Sequence, residues 1–188
     1  MRIIEFTGTP EAGKTTQIHR VSDRLKDQGF SVQIVQESAE IMPKSFSKGS
    51  VEASRWMQLN ATMKVLEATS SENDIILVDR GIIDAMFWQQ IYYERGLLQE
   101  QEMSAFYMFV KSMKLIPDLT FYFYIEPELA IRRRGGEGRI TTREFVEKYN
   151  SMSREFFSKR NGLKFLEVDG SCPMEEITKQ VVENILKN

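Results

Sequence analysis

Apolar and polar positions along the chain form short strand-like blocks alternating with longer amphipathic ones. Arg2-Ile3-Ile4-Glu5-Phe6-Thr7 is a short apolar stretch with strand character. Ile18, Val21 and Leu25 then recur at helical spacing, predicting a helix from about Lys14 to Gln28 that Gly29 stops. Ser31–Gln36 reads as a second strand, and Pro43–Ser50 as a loop rich in Ser, Lys and Gly. A helix is expected over about Val51–Thr69. Asp74–Val78 is continuously apolar after its first residue, the pattern of a strand buried on both faces. Helical segments follow at about 82–95 and 99–115, and Leu119–Ile125 reads as a central strand. Pro127 opens a short helix that ends in Arg132, Arg133 and Arg134, and Gly135, Gly136 and Gly138 break it. A helix over about 142–160, a strand at Leu163–Val168 and a last helix starting at Pro173 complete the series. In that last helix Ile177, Val181 and Ile185 form a stripe.

Five strands joined by crossover helices predict one doubly wound α/β domain over residues 1–188, with a parallel sheet flanked by helices. Repeats, linkers and low-complexity segments are lacking in the sequence. In such a sheet the ligand belongs at the carboxyl ends of the strands.

The loop leaving the first strand carries the most specific signal. Gly8-Thr9-Pro10-Glu11-Ala12-Gly13-Lys14-Thr15 spells G-x-x-x-x-G-K-[ST], between a strand and a helix start. Gly8 and Gly13 let the backbone bend so that successive N–H groups face inward as an anion cradle. The helix dipole adds to it. Pro10, Glu11, Ala12 and Thr16 complete the loop, Lys14 is expected on the β- and γ-phosphates, and Thr15 on Mg²⁺. The motif specifies a nucleoside triphosphate and a P-loop fold of three layers. It leaves open what is done with the triphosphate.

Composition narrows the class. The chain has 188 residues, 41% apolar and 28% charged, as in an ordinary globular domain. No apolar run approaches the roughly 20 residues that span a bilayer. The chain enters a strand directly, and with a single cysteine, Cys172, a cytoplasmic protein without a signal peptide or disulfides is expected. The net charge of −2 argues against a nucleic-acid partner.

The candidate acceptor side comes from scattered residues. Asp79-Arg80 follows the apolar strand, so the acid sits at a carboxyl end on the P-loop side, placed to orient Mg²⁺ or its water. Arg80 offers a fork for phosphate oxygens; a structural ion pair is the plainer reading of both. Glu37, at the end of the second strand, is either a general base for an attacking hydroxyl or a capping acid. Arg132, Arg133, Arg134 and Arg139 flank a glycine-rich hinge and belong to an expected arginine-rich lid at about 132–142 that closes over the triphosphate, with one of them catalytic; the plain alternative is a basic helix end, and a nucleic-acid patch is a third option that the acidic balance elsewhere weakens. Arg55 and Gln58 are substrate-binding candidates, the amide of Gln58 being able to read a base edge. Trp56, Phe87, Trp88, Tyr92 and Tyr93 read as core before stacking platforms.

Taken together, Gly8–Thr16, Glu37, Asp79-Arg80, Pro117-Asp118-Leu119-Thr120-Phe121 and the arginines at 132–139 resemble the thymidylate kinase and deoxynucleoside kinase superfamily of P-loop phosphotransferases. The resemblance covers the chain to about Phe157. It implies MgATP as donor, a nucleoside or nucleoside monophosphate as acceptor, and a homodimer through helices, for which the segment 82–115 offers the surface. It also implies Glu37 as base, Asp79 near magnesium and the acceptor, Arg80 on phosphate, and Gln58 near a base. The chain departs from it at two places. Thymidylate kinases usually have Glu-Pro-Gly-Gly where this chain has Glu37-Ser38-Ala39-Glu40, and Asp-Arg-Tyr where it has Asp79-Arg80-Gly81. A second class remains in view, an NTP-dependent switch or regulatory ATPase without a small-molecule acceptor.

Overall fold

A computed structural model describes residues 1–138, 141–160 and 162–187, with the side chain of Glu40 left out. The chain forms β1 (Arg2–Gly8), α1 (Lys14–Asp27), β2 (Val32–Val35), α2 (Val51–Thr69) and β3 (Ile75–Asp79). It continues through α3 (Ile82–Glu94), α4 (Glu100–Ser112), β4 (Leu119–Tyr124), α5 (Pro127–Arg134), α6 (Arg143–Ser158), β5 (Phe165–Asp169) and α7 (Met174–Lys187). Every predicted element is present, with ends within a few residues of those expected.

The five strands pair in parallel in the order β2-β3-β1-β4-β5. The chain therefore leaves β1 for one edge, returns beside β1 through β3, and crosses to β4 on the other side. The crevice opens at the carboxyl ends of these central strands, where β1 becomes the P-loop and β3 ends at Asp79.

Strand alternation divides the core. Ile4 and Phe6 of β1 face α1 and α7, where Ile18, Val21, Leu25, Val181 and Ile185 are buried. Phe6 packs between Phe121 and Phe123, its ring centroid 5.6 Å from each. The opposite face of the sheet packs α2, α3, α4 and α6 against Ile3, Ile76, Val78 and Tyr122. Phe121–Tyr124 are expected as buried sheet; Phe121, Tyr122 and Phe123 are buried, while Tyr124 at the strand end is only partly so, and Phe87 and Tyr92 are core. One residue breaks the pattern: Glu5, on the α3 face of a central strand, is fully buried.

Helix ends follow local chemistry. Gly29, at φ 89°, stops α1, and Ser50 accepts a hydrogen bond from the Ala53 N–H (3.1 Å) to start α2. Thr142 does the same for α6.

Candidate active site

The donor wall is made by the P-loop backbone. Gly8 is required twice over: its φ is +128°, and a Cβ there would lie 2.0 Å from the Phe123 carbonyl oxygen. That close approach lets the Thr9 N–H bond the Phe123 carbonyl at 2.9 Å and seats the loop on β4. Thr9 Oγ1 donates to Asn150 Oδ1 at 2.5 Å, and Asn150 in turn donates to the Ile125 carbonyl at 3.0 Å. The loop is thus tied to α6 and to the end of β4. Glu11 sits at φ 62°, a left-handed conformation uncommon outside glycine and concentrated at functional loops. No side chain caps α1, so its first N–H groups face the loop cradle, the arrangement that binds anions.

Lys14 is folded back into this cradle. It is 6% exposed, and its Nζ donates to the Thr9 carbonyl at 2.6 Å. Burial, reinforced by the nearby Arg80 guanidinium, lowers its ammonium to about 7, against the pull of Asp79, Asp84 and Glu37. Thr15 Oγ1 donates to Asp79 Oδ2 at 2.7 Å. Asp79 is 3% exposed, and its second oxygen is buried with no partner among the described residues. A hydroxyl beside an under-satisfied carboxylate next to a phosphate cradle fits a hard cation held mainly by phosphate and water.

The wall facing the loop is made by side chains. Arg80, itself at φ 55°, is clamped three ways. Its Nη2 donates to the Gly8 carbonyl (3.1 Å), its Nη1 to Asp84 Oδ1 (3.0 Å), and its Nε lies 3.3 Å from Glu37 Oε1. Asp84 also accepts from Thr7 Oγ1 at 2.6 Å. Glu37, at the turn into the 3-10 segment Ser38–Glu40, is 28% exposed. Burial raises its carboxyl above the ordinary range, against the opposing pull of Arg80.

Beneath this corner lies a residue that sequence reasoning missed. Glu5 accepts the N–H groups of Gly81 (3.0 Å), Ile83 (2.9 Å) and Asp84 (2.7 Å), capping α3 from inside the sheet. Desolvation raises its carboxyl to about 7, and the three N–H donors pull the other way. A Cβ at position 81 would lie 2.6 Å from Val78 Cγ1 and 2.9 Å from Glu5 Oε2. Gly81, the departure from the Asp-Arg-Tyr pattern, is therefore coupled to Glu5. The available signal was a lone carboxylate in a strand whose neighbours on both sides are apolar.

Both walls line one cavity of about 820 Å³. Met57, Gln58, Ala61, Ala85 and Trp88 close its far side. Trp88, read from sequence as core, is half-buried and open to this cavity. Of the other candidates, Pro10, Ala12, Gly13 and Thr16 are in the loop wall. Arg133 lines the donor end and donates to the Glu11 carbonyl (3.3 Å) and to the Gly170 carbonyl (2.9 Å). Arg134 lies 4.0 Å from Glu11 Oε1. Arg139 lies outside the described residues. Arg55 is not brought to this cavity: it pairs with Glu102 and borders a smaller one of about 300 Å³ across α2. Trp56 is half-buried beside Phe46.

A parallel sheet of this order with a phosphate loop after its first strand defines the P-loop NTPase class. The AAA domain family model matches residues 3–174, and the chain belongs to that family. It is similar to a probable thymidylate kinase of Archaeoglobus fulgidus, 26% identical, with 95% of this chain and 92% of that protein aligned. It is similar also to a thymidylate kinase of a Thermoanaerobacter species, 26% identical over 99% and 98% of the two chains. Among solved structures, a deoxyadenosine kinase of M. mycoides with dCMP and dCDP superposes with a TM-score of 0.74 at 20% identity, covering 99% of this chain and 100% of that one. These relatives bear out the resemblance to the thymidylate kinase and deoxynucleoside kinase superfamily, and the acceptor-free switch is not favoured.

Proposed function

We propose that this protein is a kinase that transfers the γ-phosphoryl group of ATP to a nucleoside or nucleoside monophosphate. One observation carries the reading. A single cavity joins a phosphate cradle to a wall holding a carboxylate, a clamped arginine and room for a second small molecule. Thymidylate and deoxyadenosine kinases as relatives support it.

In this reading the loop N–H groups and Lys14 hold the triphosphate. Lys14 exchanges the Thr9 carbonyl for the β- and γ-phosphates and is fully protonated there. Thr15 and Asp79 fit Mg²⁺, which when bound neutralises charge on the phosphates and fixes their geometry. Arg80, held by Gly8, Asp84 and Glu37, faces the transferring group from the acceptor side. Glu37 accepts a proton or orients the attacking oxygen. Arg133 braces the loop, and Arg134, beside Glu11, supplies charge at the donor end. Gln58, 8% exposed and facing the cavity, offers donor and acceptor atoms to a base edge. Positioning and charge neutralisation do most of the work in such a transfer.

A homodimer through the 82–115 segment belongs to the same reading, with Tyr93, Leu97, Met108 and Phe109 exposed there. So does a cytoplasmic location; no helix among the described residues is long and apolar enough to cross a membrane.

The test is ATP turnover with and without a panel of nucleosides and nucleoside monophosphates, scored by product mass. Acceptor-dependent formation of a phosphorylated product is expected. Lys14→Ala should lower that turnover by about 10³-fold or more, because it removes a preorganised charge at the transition state. It should leave the unbound fold at least as stable, since the ammonium is buried and crowded by Arg80. Unchanged turnover in this variant would sink the assignment.

A further inference from the structure

The phosphate-loop motif leaves its second position open, and in this chain that position is fixed from far along the sequence. Thr9 is fully buried and every polar group it has is engaged. Its N–H donates to the Phe123 carbonyl at 2.9 Å. Its carbonyl accepts from Lys14 Nζ at 2.6 Å and from the Ala12 N–H at 3.4 Å. Its hydroxyl donates to Asn150 Oδ1 at 2.5 Å. The peptide unit that holds Lys14 in the unbound fold thus belongs to the residue whose side chain is held by α6.

Asn150 can play this part in one orientation only. Its Nδ2 donates to the Ile125 carbonyl at 3.0 Å, and a carbonyl can only accept. The amide oxygen must therefore face the other way, where it takes both the Thr9 hydroxyl and the Tyr122 hydroxyl, the latter at 3.1 Å. Asn150 is buried, as are Thr9 and Tyr122, so losing one of these bonds strands a partner away from water.

The loop that is tied this way carries strain. Glu11, two residues on, sits at φ 62°. Such a conformation persists where the surroundings over-determine it. The loop is held at Glu11 by Arg133 Nη1 on its carbonyl at 3.3 Å, an exposed bond, and at Thr9 by the buried pair of Phe123 and Asn150. The N–H groups of the motif make the cradle, and the buried anchor sets how well the unbound loop keeps that shape.

We propose that Asn150 is a positioning residue for the donor loop, acting from α6 through Thr9 to preorganise the loop and Lys14 for a triphosphate that it does not itself touch. The inference rests on the kinase reading for ATP as donor and is independent of the acceptor. Preorganisation of this kind raises affinity by removing an ordering cost at the moment of binding.

The experiment titrates ATP into the full-length chain by calorimetry. Melting temperatures, and KM values for ATP and for the best acceptor of the panel, are measured beside it. Thr9→Val keeps the branched shape and removes only the hydroxyl; Asn150→Ala removes its partner. Each should weaken ATP binding about 5- to 20-fold, the scale of one buried hydrogen bond with its partner left unpaired. The double variant should be no weaker than the weaker single one, because the two residues share one interaction. KM for ATP should rise by the same factor, with the acceptor KM within about twofold of wild type. Thr9→Ser keeps the hydroxyl and should bind ATP more tightly than Thr9→Val, a comparison that decides the matter even if Asn150→Ala does not fold. Tyr122→Phe removes the other bond to the same oxygen. It should lower the melting temperature and leave ATP affinity within about twofold. ATP affinity that follows melting temperature alike in all four single variants would overturn the proposal, since that is what a merely structural tie does. So would wild-type affinity in Thr9→Val, and either result leaves the kinase reading intact. No ATP binding by the wild-type chain would overturn both.

Discussion

The two walls of the cavity are built in different ways. The proposed donor wall is one run of eight residues, Gly8–Thr15, a backbone cradle. The acceptor wall is assembled from side chains on separate segments: Glu37 after β2, Arg80 and Asp84 around the β3–α3 corner, and Thr7 and Glu5 from β1 beneath it. The donor wall needs little beyond a strand before it and a helix after it. The acceptor wall exists only because β3 lies beside β1, so that Arg80 reaches Gly8 and Glu5 reaches Gly81. The loop has the backbone geometry of an anion cradle common to many enzymes. The corner carries both departures from the thymidylate kinase pattern, at Gly81 and at Ser38-Ala39-Glu40.

If the walls are separable, perturbing one should leave the other's ligand alone. On the acceptor side the largest effect is expected from Arg80→Lys. A lysine keeps the charge but cannot bond Gly8, Asp84 and Glu37 at once. The acceptor kcat/KM should fall about 10²- to 10³-fold, with the ATP dissociation constant within about threefold of wild type. Isothermal titration with ATP alone, beside steady-state kinetics, checks both. Equal loss of ATP affinity would show that Arg80 belongs to the donor wall as well.

Next comes Glu5, which tests whether the corner has its own stability. Its folded value of about 7 lies above the free value of 4.5. The folded chain therefore keeps this proton longer than the unfolded chain. The resulting contribution to stability is fully present below about pH 4.5 and lost as pH rises through about 7, amounting to about 3 kcal/mol by linkage. Glu5→Gln holds the group neutral at every pH, so urea unfolding from pH 5 to pH 8 should change less in this variant than in wild type. An identical pH profile in the two proteins would show that Glu5 does not titrate in this window.

The smallest effect concerns the donor wall alone. The Lys14 ammonium is lowered to about 7 in the unbound fold, and a triphosphate restores it. ATP binding at pH 8 should take up about one proton, seen as a buffer-dependent binding enthalpy. ATP affinity should weaken by up to about tenfold per pH unit above 7. Proton uptake should be retained in Arg80→Lys if the walls are independent. Because Arg80 contributes to lowering Lys14, and lysine keeps that charge, its loss there would instead reveal coupling through position.

How much of this could be read beforehand depends on how each part is built. The hydrophobic pattern carried the element order because the central strands β1, β3 and β4 are buried on both faces, and helices such as α1, α6 and α7 on one. Gly8–Thr15 was legible because its chemistry is local. Glu37, Asp79 and Arg80 were legible as strand-end residues, and the structure brings Glu37, Arg80 and Asp84 together. Arg55 was misplaced because a helix has several faces, and its position in sequence does not say that it turns toward Glu102. Trp88 both packs on the core beside Tyr92, Phe145 and Tyr149 and lines the cavity, and an aromatic residue on a helix gives the same signal for either contact. Glu5 was hidden inside an apolar strand, since its partners are backbone groups 76 to 79 residues away.

The sequence by itself determined the parallel sheet, the phosphate loop and the donor chemistry, because these rest on short-range periodicity and on backbone freedom at named glycines. Only the tertiary structure decided which charges meet. Pairing β1 with β3 placed Glu5 under α3, turned Arg80 toward the Gly8 carbonyl, and left its guanidinium shared between Glu37 and Asp84. Electrostatics depends on distance and burial, and neither is written in the order of residues along a chain.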